Sequence, residues 1–352
     1  MRINELLKPI TMILFLIILL FIVVIIALMF GPAGPFGTTN YKSDLTPQNI
    51  IEILFFPNSK WNNFNGQNLN AIILEIRLPR VLLAGLVGSA LAVAGTVMQS
   101  IFRNPLADPF ILGASSGAAL FELLTIVYFS AFITTVYTLP FIGFLGAFLT
   151  VILVLTLGKI HGRIQTETLL LAGVALSSFL SAFITFFLFQ NQRYGFEFYF
   201  WMLGSFYKAA FAEVYITAIL VIPIIFIIYL FYRELNLFLL NEEEALSLGM
   251  NVERVRLVLI ILVTLITAVS VAFVGIIGFV GLIIPHIIRL ITGPNHSILL
   301  PATTFFGASF LITMDTISRT IIPNHELPIG VITALTGVPF FIYLLIKRNK
   351  YE

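Results

Sequence analysis

The 352-residue chain is 59% hydrophobic and only 10% charged, against roughly 25% charged residues in soluble domains, so the bilayer must be the solvent for most of it. A formal net charge of +2, with no basic run interleaved with aromatics, is too small to suggest nucleic acid as a partner, and none is expected. The absence of cysteine excludes disulfide scaffolds, thiolate metal sites and cysteine nucleophiles together.

The first apolar run, Ile10 to Phe30, is too long for a signal-peptide core and ends in Gly31-Pro32 without a small-x-small cleavage pattern, so it reads as a retained membrane helix. Residues 31–70, with Gly, Pro, Asn and an apolar patch from Ile50 to Phe56, read as an external loop carrying one surface helix. Further runs long enough to cross begin near Val81, Ile111, Leu139, Leu169 and Val214, and later near Ile298 and Leu327, each about 17 to 25 residues. Gly113-x-x-x-Gly117 and the Gly85 to Gly88 region are small-residue faces suited to close helix packing. Leu257 to Ile288 contains no Asp, Glu, Lys or Arg, yet roughly 32 residues is too long for one crossing and short for two. Its middle reads Gly275-Ile-Ile-Gly278-Phe-Val-Gly281, followed by Pro285, which predicts two shortened helices meeting at a break. The fold expected is an all-α polytopic transmembrane bundle of about ten helices in one domain spanning 1–352.

An even number of crossings puts both termini on one side, and Arg2, Lys8, Lys347, Arg348 and Lys350 make that side cytoplasmic by the positive-inside rule. Arg103, Lys159, Arg163, Arg233, Arg254, Arg256 and Arg289 then also fall inside. Lys42, Lys60, Arg77, Arg80, Arg193, Lys208 and Arg319 fall outside.

The longest polar interval on the inside, 233–256, is organised as a knob. Asn241 can cap a helix whose first turn is Glu242, Glu243 and Glu244, acid placed at the positive end of the helix dipole. Ala245, Leu246 and Leu248 lead to Gly249, a left-handed stop. A second short helix is expected after Asn251, carrying Glu253, Arg254 and Arg256 towards the next crossing. A solvated loop helix is the plain reading of this segment. A coupling element for a cytosolic partner is the functional one. No Gly-x-x-x-x-Gly-Lys-Ser/Thr loop exists, so ATP-driven transport would need its nucleotide site on another chain.

Arg77-Leu-Pro-Arg80, Asn104-Pro-Leu-Ala-Asp-Pro109, Leu112-Gly-Ala-Ser-Ser-Gly-Ala118, Trp201-Met-Leu-Gly-Ser205, Glu244-Ala-Leu-Ser-Leu-Gly249, Phe279-Val-Gly-Leu-Ile-Ile-Pro-His286 and Leu327-Pro-Ile-Gly330 follow in order. Together they resemble the permease family of ABC importers for iron-siderophores, haem and cobalamin, the type II importer permeases. The resemblance runs from Arg77 to about Ile346. It implies a cytoplasmic-membrane subunit, homodimeric or paired with a paralogue, working with a cytosolic ABC ATPase dimer and an extracytoplasmic substrate-binding protein. It implies that Glu242, Glu243, Glu244, Ala245, Leu246, Leu248 and Gly249 dock the ATPase, and that Thr166 and Glu167 stand at the inner gate. It also implies that Arg77, Arg80 and Arg319 receive acidic side chains of the binding protein, as three arginines at external helix ends that run against the positive-inside bias. Asp315, one turn before Arg319, is placed to orient it.

Glu122, well inside the third crossing, is a functional candidate by cost alone; a bundle-facing carboxyl paired with Ser, Thr or backbone is the plainer expectation. Glu122 and the broken central helices are the features that would suit an ion-coupled secondary transporter instead. An intramembrane enzyme has no support, since neither His-Glu-x-x-His nor Gly-x-Ser-x-Gly occurs. His161, His286, His296 and His325 are scattered without ligand spacing, so no resident metal or cofactor is expected; the cargo expected is an intact chelate, an iron(III)-siderophore ahead of cobalamin or haem.

Overall fold

A computed structural model describes residues 3–31, 46–56, 61, 68–160, 163–322 and 325–348. Most of the 31–70 loop, including Lys42, Lys60 and most of the Asn-rich stretch, lies outside the described residues, as do His161 and the tail residues Arg2 and Lys350.

The chain opens with α1 (Ile3–Met29) and α2 (Pro47–Phe55), followed by the single turn α3 (Leu69–Ala71) and a π-helical stretch, Ile72–Arg77, that runs into α4 (Leu78–Ile101). After a 3-10 turn at Pro109–Leu112 come α5 (Ala114–Tyr128) and α6 (Thr138–Leu157). A two-residue antiparallel hairpin, β1 (Lys159–Ile160) and β2 (Arg163–Ile164), leads to α7 (Thr166–Gln190). Then follow α8 (Gly195–Met202), α9 (Phe211–Leu230), α10 (Tyr232–Leu237), α11 (Glu242–Ser247), α12 (Val252–Val274), α13 (Val280–Thr292), α14 (His296–Ser318) and α15 (Ile329–Arg348). Among the described residues, seven helices are long and apolar enough to cross a membrane, and α5, α13 and α15 are shorter apolar helices. The expected ten segments are therefore present.

The central helix is α4, with 83% of its most apolar window buried against 17% for α7 and 22% for α1. Its sequence explains this, because glycines let neighbouring backbones approach closely. A Cβ on Gly88 would lie 2.3 Å from the Gly307 carbonyl oxygen of α14, and one on Gly95 would lie 1.9 Å from that of Gly281 in α13. The Gly117 face of α5 meets α6 in the same way, 2.5 Å from the Gly146 oxygen.

The expected break lies between Val274 and Val280. Gly275 (φ +76°, ψ −164°) ends α12 in a conformation essentially restricted to glycine, and a Cβ there would sit 2.0 Å from the Trp201 carbonyl oxygen. Phe279, with φ +70°, starts α13. The break is held by two distant segments: Ser205 donates its N–H to Val274 O (2.9 Å), Ile329 to Gly204 O (3.0 Å) and Gly330 to Leu203 O (2.9 Å). The Trp201–Ser205 and Leu327–Gly330 motifs thus converge on the interrupted crossing.

Three boundaries correct the sequence expectation. The third crossing starts at Ala114, not Ile111, because the Asp108 carboxylate accepts the Phe110 N–H at 2.8 Å and folds Pro109–Leu112 into a separate turn. The surface helix of the 31–70 loop is α2, capped by Thr46, but its Ile50 and Ile53 are fully buried in the core beside Leu28. No separate short helix follows Asn251; its side chain caps α12 itself by accepting the Arg254 N–H at 3.0 Å, and the two short helices of the knob are α10 and α11.

Candidate functional site

At the end of the bundle that holds α2, three arginines meet two carboxylates. Arg80 grips Asp315 of α14 through Nε (3.0 and 3.1 Å) and NH2 (2.8 Å), and turns its NH1 to both oxygens of Glu326 at 2.9 Å. Asp315 also faces Arg319 Nε at 3.5 Å, the expected i, i+4 arrangement. The last carbonyls of α1 lack intrahelical donors and are satisfied by guanidinium groups. Arg319 NH2 donates to Ala27 O (2.7 Å), and Arg77 NH1 to Leu28 O (2.7 Å) and Met29 O (3.0 Å). Gly31 leaves the room, since a Cβ there would lie 2.5 Å from Arg77 Nε.

Arg80 and Arg319 are enclosed by the network rather than displayed at the surface. Arg80 is 7% exposed, Arg319 2% and Asp315 1%, so the cluster is a buried ion-pair system in which each charge needs its partner.

At the opposite end, α10 and α11 form the knob. Glu244 accepts the Asn241 N–H at 3.4 Å and closes the first turn of α11. The helix stops at Gly249 with φ +87°, where a Cβ would meet nothing within 4 Å, so the glycine serves backbone direction rather than space. Ala245 is buried against the core, whereas Leu246 and Leu248 are 57% and 64% exposed. The α11 helix and its C-terminal cap thus present two exposed leucines beside the three glutamates of the first turn.

The knob is tied inward at several points. Arg256 of α12 donates to Ile164 O (2.9 Å) and pairs with Glu242, while Glu253 accepts the Ile164 N–H at 2.5 Å. Arg103, just past α4, donates to Phe238 O at 2.8 Å. His296 at the start of α14 links Asn236 of α10 to Ser100 of α4. Asn236 Oδ1 accepts the His296 backbone N–H (2.9 Å) and lies 2.8 Å from Nδ1, while Nε2 lies 2.6 Å from the Ser100 hydroxyl. The Asn236 amide is oriented by donating to Asn295 Oδ1 (3.1 Å), so Nδ1 carries the proton and Nε2 faces the Ser100 hydroxyl, whose one proton is shared with Thr96 O at 2.8 Å. Gln99, the neighbour of Ser100, donates to Leu282 O (3.1 Å) and accepts from Arg289 (3.0 Å). Sequence spacing gave no sign of the His296, Asn236, Ser100 and Gln99 partners, which lie 59 to 196 residues apart in the chain.

Thr166 and Glu167 begin α7, the least buried crossing, with Thr166 half-buried and Glu167 exposed in the first turn. Glu122 in α5 is 3% exposed and pressed against α6, where a Cβ on Gly143 would lie 2.1 Å from its Oε1. That oxygen has no hydrogen-bond partner among the described residues, so the expected pairing with Ser, Thr or backbone is not made there. No cluster of three metal-ligating side chains exists among the described residues.

The sequence profile of the FecCD transport family matches residues 16–347. The chain belongs to that family. Among curated proteins it is similar to the hemin transport system permease protein HmuU of Yersinia pestis, 36% identical over 294 residues covering 82% of this chain and 87% of that one. It is also similar to the cobalamin import system permease protein BtuC of Halobacterium salinarum, 39% identical over 283 residues covering 80% and 75%. A solved structure described as an inward-facing, metal-chelate type ABC transporter superposes with a TM-score of 0.79 at 31% identity, covering 96% of this chain and 99% of that one. The protein is a multi-pass membrane permease of the metal-chelate type of ABC importer.

Proposed function

We propose that this permease carries an iron(III)-siderophore across the cytoplasmic membrane, with both termini inside, powered by a cytosolic ABC ATPase dimer seated on α11. The observation that carries the reading is the α10–α11 knob: an acidic, capped helix with two exposed leucines, fastened by buried contacts to α4, α12 and β2. The orientation is supported by the grouping of Arg103, Arg256 and Arg289 at the knob's end.

Transport follows as a population shift between two arrangements of a path framed by this chain and a second permease, identical or paralogous. ATP-driven closure of the ATPases moves α11. Thr166 and Glu167, which begin the least buried crossing, open or shut the inner side of that path.

At the outer end, Arg77, Arg80 and Arg319 against Asp315 and Glu326 leave one positive charge in excess, which favours acidic side chains of a substrate-binding protein. Glu326, with a side chain 22% exposed, holds on Arg80 the place of an incoming carboxylate. Docking therefore exchanges one carboxylate for another, and its effect is greater on register and encounter rate than on affinity.

The purified chain is expected to show no ATPase activity alone and to restore vesicle uptake when mixed with its ATPase and binding protein. Uptake that needs neither, or survives deletion of 238–249, would reject the proposal. Mass spectrometry of the compound that co-purifies with the cognate binding protein decides among siderophore, cobalamin and haem.

A further inference from the structure

Ile164 is held by both of its backbone groups from a single turn of α12. Glu253 Oε1 accepts its N–H at 2.5 Å, and Arg256 NH1 donates to its carbonyl at 2.9 Å. Residues three apart lie on one helix face, so the two side chains form a single grip. The other arm of the Arg256 guanidinium pairs with Glu242, the first residue of α11. Arg256 is 5% exposed, the Ile164 side chain is 3% exposed, and the Phe238 ring lies 6.0 Å from the guanidinium carbon. Ile164 closes β2 and stands two residues before Thr166, where α7 begins.

We propose that Arg256 is a positioning residue that joins the docking helix to the inner gate, forcing the first turn of α7 to follow α11. An exposed ion pair stretches freely because water replaces the lost partner. The Arg256 side chain is 6% exposed and has no such replacement, so losing Glu242 strands the guanidinium charge, although the Glu242 carboxylate itself, 53% exposed, stays hydrated. Arg256 therefore travels with Glu242, and Ile164 travels with Arg256 through a backbone that β1 pairing and the Glu253 contact keep in register. Arg suits this place because its planar fork serves two acceptors in different directions, which the single ammonium of Lys does less well.

The inference rests on the docking and gate readings above, and its test separates the two levels. The chain has no cysteine, so Gln165→Cys and Leu248→Cys, both at exposed positions, accept spin labels without background. In the full-length chain in lipid nanodiscs, the pair is expected to give one narrow distance population. Arg256→Met should broaden or split it, and Arg256→Lys should fall between. An unchanged distribution in Arg256→Met overturns the joint whether or not an ATPase binds.

In the complex with the ATPase, labelling of Thr166→Cys by a membrane-impermeant maleimide should differ between nucleotide-free and vanadate-trapped forms by about 5-fold or more. Arg256→Met should keep ATPase binding and hydrolysis and lose that difference; retention of the difference overturns the proposal. Absence of any nucleotide response with Arg256 intact counts against the gate reading, while the 165–248 distance still decides the joint.

Discussion

Arg80 and Asp315, 235 residues apart in the chain, form a bidentate ion pair in which neither side chain is more than 8% exposed. The pair ties α4 to α14 at one end of their glycine-lined contact. Removal of one partner strands a buried charge, so Asp315→Ala should cost about 3–5 kcal/mol. Thermal unfolding in detergent should show this loss, and Arg80→Met/Asp315→Leu should recover only part of it, because Arg319 and Glu326 then lose their partners. A single variant as stable as the parent would show that water reaches the site.

Gly275 and Gly249 both have positive φ, but their substitutions should differ sharply. Gly275→Ala places a methyl 2.0 Å from Trp201 O and should prevent the break from closing, seen as loss of folded protein on size-exclusion chromatography. Gly249→Ala meets no atom within 4 Å and should cost only the left-handed penalty, about 1–2 kcal/mol. Equal behaviour of the two would contradict the steric account.

Asp108, in the turn between α4 and α5, has its carboxyl pushed up to about 6 by burial, partly opposed by the Phe110 N–H. The folded state then binds more protons than the unfolded state between about pH 6 and 4, so this group's contribution raises stability as pH falls through that window. Asp108→Asn keeps an acceptor for Phe110 and should be the more stable protein at pH 7 and above. The difference between the two melting curves should shrink as the pH is lowered towards 4.

Glu122→Gln should preserve ATP-driven uptake, because no partner on its Oε1 requires a charge. Uptake abolished by this change and sensitive to an uncoupler would favour an ion-coupled transporter in place of an ATP-driven one.

Much of the fold was legible because the bilayer imposes length and apolarity on each segment, and because glycine marks the break at Gly275 and the stop at Gly249. The capped acidic turn of α11 was legible for the same local reasons. The burial of Arg80 and Arg319 was not. Charges at helix ends look exposed in a sequence, and the groups that cover them are backbone carbonyls of α1 and a loop carboxylate, Glu326, with no local pattern. The Ser100–His296–Asn236 chain was hidden likewise, since a histidine without ligand spacing carries no sign of distant hydrogen-bond partners. Asp108 escaped notice as a helix-start residue because the turn it nucleates lies inside an apolar run.

The grip of Arg319 on Ala27 spans 292 residues of chain. The C-terminal end of α1 is thus completed by a residue made 292 positions later, and its Ala27 carbonyl must wait for that donor until α14 has been synthesised. A chain lacking α14 would keep the Arg77 bonds to Leu28 and Met29 but leave the Ala27 carbonyl without its guanidinium donor.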